Sequence, residues 1–343
     1  MAGVAAAAGV GGQVLTSKRF NVSSSRNAVK LNTPAFQTPK LRPGTEITDI
    51  PGLTPFYTTN ANFYRVDTAL VIPEVTTQQW SLRIHGMVDK PMTINFRDLL
   101  RLPQLERDIT LCCVSEQVGG VLTGNAQWQG TPFGDLLRKT GIQKGATQIV
   151  MRDVNGMNLG VSVDALLDGR HSLLAYGMNG VALPPEHGFP VRVVIPGLYG
   201  YVSACKWVVD MEVTTYQAFS AYWTHRGWSA QAEIKTESRI DVPKTNATVK
   251  AGTVTVAGIA WAQHKGIAAV EVGVDGVFHQ ATLATQDTFD TWRQWYYKWD
   301  ATPGTHTVQV RATDNTGYTQ TSAKHGAEPD GATGWHTIKV TVA

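Results

Sequence analysis

The chain has little cysteine, little charge and no long apolar run. Its three cysteines in 343 residues, Cys112, Cys113 and Cys205, are too few for a disulfide framework, and no Cys-x-x-Cys pair points to a zinc or iron–sulfur site. Charged residues make up only 17% of the chain. The net charge of +3 is spread along it with no basic block at either end, which argues against nucleic acid as a partner. No candidate transmembrane helix of roughly 20 apolar residues is present. Met1 to Leu15 is a mild run of Ala, Val and Gly without the basic n-region or paired arginines of a secretion signal. It reads as a frayed tail or as the last turns of a membrane helix.

What the chain does have is apolar material, 43% of its residues with ten tryptophans, and a length that suggests two domains. Low charge with many Gly, Thr and Val is a texture of β-rich, extracytoplasmic proteins. Residues 16–60 are rich in Ser, Asn, Thr and Pro and read as an extended arm wrapping a domain. Trp80 to Gly86 alternates like a strand, and Asn95 to Leu102 and Pro132 to Thr140 read as short helices. Ile149 to Val163 reads as a strand pair around Asn155-Gly156, Val163 to Leu167 as a helical stretch, and Val191 to Ile195 as a buried strand. Without a regular βαβ alternation, this half is α+β. From Lys250 onward, about seven short alternating runs recur at roughly ten-residue spacing with no helical segment, the pattern of an immunoglobulin-like sandwich. The division is residues 1–49 as tail and arm, 50–233 as the first domain and 234–343 as the second.

Several segments of the first domain could carry chemistry. Cys112 and Cys113 end an apolar run and open a Gly loop, Val114-Ser-Glu-Gln-Val-Gly-Gly120. On local sequence alone both thiols read as small buried hydrophobes. Asn62-Phe-Tyr-Arg65, Asn125-Ala-Gln-Trp128, His187-Gly-Phe-Pro-Val-Arg192 and Pro196 to Trp207 are the others. Gly197 and Gly200 would let backbone approach a ligand closely, Arg65, Arg192 and Lys206 would supply positive charge, and His187 would donate to a heterocycle or phosphate. The competing reading has the glycines making turns and the His and Arg marking a solvated strand entrance.

In this order, these segments resemble the molybdopterin-binding domain of the sulfite oxidase family. The resemblance is carried by Asn125 to Trp128, Leu173-Leu-Ala-Tyr-Gly-Met-Asn-Gly180, His187 to Arg192 and Lys206-Trp207. The second half resembles the same family's immunoglobulin-like dimerisation domain through Ser238-Arg-Ile-Asp241, Ala260-Trp261, Trp299-Asp300, Pro303 to His306 and Val310 to Asp314. The likeness runs from about residue 50 to the end. It implies a molybdenum–molybdopterin cofactor ligated by Cys113, a soft thiolate donor, with Cys112 an ordinary strand residue. It implies that Phe63, Tyr64 and Arg65 embrace the pterin. His187, Arg192 and Lys206 would contact pterin and phosphate, with Ala204 and Cys205 on the same turn. Asn155 falls where relatives tend to carry a cofactor-contacting Asp.

Departures from the family shape the functional expectation. Animal and plant sulfite oxidases supply an arginine to the anionic substrate from the loop after the cysteine; here Glu116 and Gln117 follow, and a carboxylate there would repel sulfite unless Glu116 points away. Where the family has an active-site tyrosine, His225 precedes Arg226-Gly227-Trp228, so His225 is a candidate catalytic group and Tyr199 another. The expected activity is two-electron oxo transfer on a small sulfur or nitrogen oxo compound. The rival is a binding or assembly protein with an idle pterin-fold domain, and a vicinal-thiol redox protein ranks last. The chain is most similar to actinobacterial-type oxidoreductases whose two domains follow a membrane region. That implies an upstream membrane anchor and an extracytoplasmic location. The family also implies a homodimer, and with no haem domain on this chain electrons would leave to a separate carrier.

Overall fold

The computed structural model describes residues 21–343. The expected membrane-helix remnant at residues 1–15 lies outside them. Among the described residues no helix is long and apolar enough to cross a membrane.

The first domain is built on two sheets. One orders its strands as Met92–Asn95, Ser81–Gly86, Val208–Thr214, Gln148–Asp153 and Asn158–Ser162. Leu82 and Ile84 alternate inward along Ser81–Gly86, and the last two strands form the antiparallel hairpin signalled by Asn155-Gly156. Ser81–Gly86 also pairs in parallel with Val208–Thr214, a contact between chain segments far apart in sequence. The other sheet runs Leu105–Cys112, Thr123–Pro132, Leu173–Met178 and Val181–Ala182, with Arg192–Val194 also on Leu173–Met178. Short helices pack on these sheets. Phe133–Thr140 buries Phe133, Leu136 and Leu137 along one face, and Phe96–Arg101 starts at an Asn95–Asp98 capping box.

The second domain is the expected sandwich of two sheets. One holds Glu237–Val242, Gly252–Trp261, Arg293–Ala301 and Thr282–Leu283 in that order. The other holds Ala247–Val249, His336–Val342, Gly304–Asp314, Ile267–Val274 and Val277–Gln280. Strands Glu237–Val242 and Ala247–Val249 lie before Lys250, ahead of the expected alternating runs. The polar residues there are interfacial: Arg239 and Asp241 are buried as an ion pair at 2.8 Å.

Residues 21–60 begin with a helix the sequence does not signal, Val22–Asn27, N-capped by the Asn21 side chain. This helix and the arm after it touch both domains. Arg26 donates to the carbonyls of Ala182 and Leu183, Ile47 N–H donates to Gln294 Oε1 at 2.6 Å, and Thr54 N–H donates to Asp241 Oδ2 at 3.1 Å.

No solvated linker separates the domains. Ile259, Trp261 and Trp292 of the sandwich belong to the same buried cluster as the first domain's sheet residues. Thr110, on the strand that leads to Cys112, is bonded at every polar group by sandwich residues or by a neighbouring strand. Its N–H donates to Asp290 O at 2.9 Å, its Oγ1 accepts from Trp292 N–H at 2.8 Å and donates to Asn125 Oδ1, and its carbonyl accepts from Gln263 Nε2 at 3.2 Å. The Trp292 indole N–H donates to Phe56 O at 3.0 Å. A shared core makes unfolding cooperative. Calorimetry should show one transition for both domains, and Trp292→Ala should destabilise that single transition by about 3–5 kcal/mol. Two separable transitions would contradict the shared core.

Candidate active site

The strand Leu105–Cys112 ends at the vicinal cysteines, and the reversal of side-chain direction along an extended chain separates them. Cys112 turns into the main hydrophobic cluster, whereas Cys113 lines a cavity of about 160 Å³ in the first domain. Burial pushes the Cys113 thiol up, opposed by hydrogen bonds from the backbone and side chain of Ser115. A thiol in that balance becomes a thiolate readily when a metal or cation offers compensation.

Phe63 and Tyr64 form one wall, their rings stacked at 5.2 Å, with Phe63 edge-on to His187 at 5.6 Å. The His187 Nε2 lies 2.8 Å from Asn60 O, and since a carbonyl only accepts, Nε2 carries the proton. Burial lowers the His187 pKa, so the ring is neutral near pH 7 and offers Nδ1 as an acceptor rather than the expected donor.

Arg192 is 5% exposed and no carboxylate lies within 4 Å of it among the described residues. Its protein bonds are to carbonyls only, at 3.1 Å to His187 and at 3.4–3.5 Å to Val193 and Ala204, and the guanidinium sits 4.9 Å from the Trp128 ring. Burial lowers its pKa to about 10. A buried cation with spare N–H groups and no counter-charge is a built anion receptor. Lys206 stands beside it with Nζ 2.6 Å from Asp67 Oδ2, and burial lowers its pKa to about 8 despite that partner. Asp67 is half-buried, yet hydrogen bonds from Arg65 and Lys206 outweigh the desolvation and hold its carboxyl below the usual range. Ala204 and Cys205 line the cavity as expected.

Four expected site residues fall elsewhere. Tyr199 is 2% exposed and outside the cavity; its hydroxyl packs against Gly331 of the second domain and accepts from Lys235 N–H at 3.3 Å. Tyr201, two residues on, lines the cavity instead. His225 is exposed on the short turn Thr224–Arg226 and does not line the cavity, while Trp223 and Trp228 on either side of it do. Arg226 stacks on Tyr222 at 3.6 Å and is not part of the cavity lining. Asn155 is exposed at the hairpin tip, and Asp153 takes the cavity position. Asp153 Oδ1 accepts from the N–H groups of Asn155 and Met157 at 2.8 and 2.9 Å, which aims the carboxylate. Arg65 is on the rim, bound to Asp67 at 2.8 Å, and touches the cavity only through that partner.

Gly197 uses its positive φ to turn against His264, so it serves the domain junction rather than a ligand. A side chain at Gly200 would meet only ordinary contacts with the protein, so space there is left toward the cavity. Glu116 does point away: it is 2% exposed, outside the cavity lining, and accepts from Leu122 N–H. Burial raises its pKa to about 7. The sequence reading missed Asp67, Asp153, Tyr201, Trp223 and Trp228; only the hairpin spacing, two residues before Asn155, could have flagged Asp153.

Flat aromatic walls, an acceptor from Asp153, an unpaired buried guanidinium and the Cys113 thiol fit a phosphorylated heterocycle that brings a thiophilic metal. Comparison with known proteins agrees. Residues 69–223 match the family described as oxidoreductase molybdopterin binding domain, and residues 237–310 match the bacterial Ig domain. The uncharacterized oxidoreductase YuiH of Bacillus subtilis is 33% identical over 155 residues, 45% of this chain and 75% of that protein. Human mitochondrial sulfite oxidase is 29% identical over 266 residues, 65% of this chain and 48% of that enzyme, so the chain spans about half the length of that relative. The crystal structure of the sulfane dehydrogenase SoxCD from Paracoccus pantotrophus shares the fold at a TM-score of 0.72 and 20% identity, over 92% of this chain and 94% of that one. With the thiol, the anion receptor and the two-domain fold in place, the chain belongs to the sulfite oxidase family of molybdopterin-dependent oxidoreductases.

Proposed function

We propose that this chain catalyses two-electron oxo transfer on a small, uncharged sulfur or nitrogen oxo compound, and that sulfite is a poor substrate. One observation carries the reading. The lining holds one lysine and one arginine among the described residues, Lys206 and Arg192, beside the carboxylates of Asp67 and Asp153, and its aromatic members include Tyr201, Trp223 and Trp228. The loop after Cys113 gives the lining only Val114 and Ser115 and carries no arginine to receive a sulfite dianion. The aromatic group Tyr201–Trp228–Trp223, with ring centroids 5.8 and 6.3 Å apart, favours an apolar or methyl-bearing substrate.

When bound, a molybdenum–pterin cofactor would supply the oxo exchange and relay two electrons between the substrate and a separate carrier. The chain's residues do the rest. Cys113 would hold the metal, with Ser115 stabilising the thiolate. Arg192 and Lys206 would bind the terminal phosphate, Asp153 and His187 Nδ1 would accept from the heterocycle, and Phe63 and Tyr64 would cover its face. The aromatic mouth would exclude water and orient the substrate. We place the enzyme outside the cytoplasm with a separate electron carrier, on its low charge and on the family likeness. A homodimer belongs to the same proposal, and sedimentation at micromolar concentration showing only monomer would count against it.

The decisive experiment compares, on the molybdenum-loaded protein, dimethyl sulfoxide-like S-oxides and trimethylamine N-oxide with a reduced dye as electron donor, and sulfite with an oxidised dye as electron acceptor. The neutral oxides should turn over with the higher kcat/KM, and a preference for sulfite would overturn the substrate assignment. Cys113→Ser should lower turnover by more than the about 10–100-fold that losing a mere supporting partner of a ligand brings, with Cys112→Ser close to wild type.

Anion binding favours the protonated Lys206, so cofactor retention should weaken as pH rises through about 8, where the free-protein ammonium is lost. Molybdenum and pterin retained after dialysis at pH 7 and pH 9 measure this. Lys206→Met should retain less cofactor at pH 7 and show no further step between the two.

A further inference from the structure

The motif Ser238-Arg-Ile-Asp241 of the second domain reaches the loop that follows Cys113. Arg239 is 8% exposed, and each part of its guanidinium has a separate task. Nε pairs with Asp241 Oδ1 at 2.8 Å, Nη2 donates to Thr54 Oγ1 at 2.8 Å, and Nη1 donates to the carbonyl of Gly120 at 2.8 Å. The charge is balanced by Asp241, so the bond to Gly120 is a charge-assisted one with a fixed direction.

His336, from the sandwich's last strand, meets the same loop. Its Nδ1 accepts from Ile240 N–H at 3.0 Å, which leaves the proton on Nε2 and fixes the ring plane. Gly119 packs against that ring with a φ of +82°, and a Cβ there would collide with the imidazole. At its base the loop closes on itself. Cys113 N–H donates to Leu122 O at 2.9 Å, Glu116 N–H donates to Cys113 O at 3.0 Å, and Leu122 N–H donates to Glu116 Oε2. Little else holds the tip. Val121 is 76% exposed, and a cleft of about 280 Å³ opens between Gln117 and Val118 on one side and Trp335 and His336 on the other.

We infer that Arg239 and His336 are positioning residues: two side chains of the second domain clamp the loop at Gly119 and Gly120, and the clamp sets the direction of the Cys113 thiol into the cavity. The inference rests on the reading of Cys113 as the thiol that holds the metal. It gives the second domain a task in the active site that is separate from any role in association.

Hydrogen–deuterium exchange on the full chain tests the clamp independently of the cofactor. In Arg239→Gln, peptides covering residues 114–122 should exchange about tenfold faster, the change in local opening expected from losing one charge-assisted hydrogen bond. The hairpin Gln148–Ser162 should keep its wild-type rate. Arg239→Lys should restore part of the protection. Arg293→Gln, which removes bonds to Ala284 O and Ile267 O inside the sandwich, should leave residues 114–122 unchanged. In the loaded enzyme, Arg239→Gln and His336→Ala should shift the thiolate-to-molybdenum absorption band and lower kcat with KM little changed.

Unchanged exchange in both variants would overturn the proposal. So would faster exchange with an unmoved band and unaltered kcat, because the clamp would then not reach the thiol. If Arg239→Gln fails to fold, Arg239→Gln combined with Asp241→Asn removes both charges, and His336→Ala decides by the same readouts. Cys113→Ser that keeps its molybdenum and turnover would sink the functional reading alone, leaving the exchange result on the clamp intact.

Discussion

The structure depends on the burial of the strand Leu105–Cys112, which leads into Cys113, against the sandwich. Thr110 lies three residues before Cys113 and exchanges hydrogen bonds with Asp290, Trp292 and Gln263, while Trp292 reaches on to Phe56 in the arm. These polar groups are buried, so each bond left unmade would carry a desolvation penalty of about 1–3 kcal/mol. The strand's register is therefore locked by a second domain and an arm as well as by its own sheet. A soft donor at the end of such a strand has a narrow range of directions, which is what a metal ligand needs.

Against that rigid background the cavity is electrostatically unbalanced. Arg192 is buried among carbonyls and aromatic rings without a carboxylate, and Lys206 keeps only one, Asp67, which it shares with Arg65. Burying a cation this way is unfavourable until an anion arrives. The imbalance is concentrated at Arg192 and Lys206, whereas Trp223 and Trp228 give the same cavity an aromatic lining.

Local signals in the sequence were legible where short-range physics decides them. The Asn155-Gly156 turn and the spacing of Phe133, Leu136 and Leu137 appear in the structure as read, whereas the two thiols, alike on local sequence, are separated only in the fold. The parallel pairing of Ser81–Gly86 with Val208–Thr214 was not legible, because nothing local encodes a partner more than a hundred residues away. Side-chain direction was the other limit. Tyr199 and His225 sit beside cavity residues in the chain yet face the domain junction and solvent, and Tyr201, Trp223 and Trp228 take the cavity positions. Glu116 looks like a carboxylate in the substrate's path only until its backbone partner at Leu122 is known.

The core shared across the domain junction has an evolutionary consequence. Immunoglobulin-like modules are commonly exchanged between proteins as cassettes, since a sandwich usually closes its own core. This one leaves Trp261 and Trp292 for its neighbour to cover, and the neighbour leaves Thr110 and Phe56 for it to bond. A recombination that replaced the sandwich would expose both sets at once. The two halves are thus heritable only as a pair, and substitutions on one side of the junction constrain what the other side can accept.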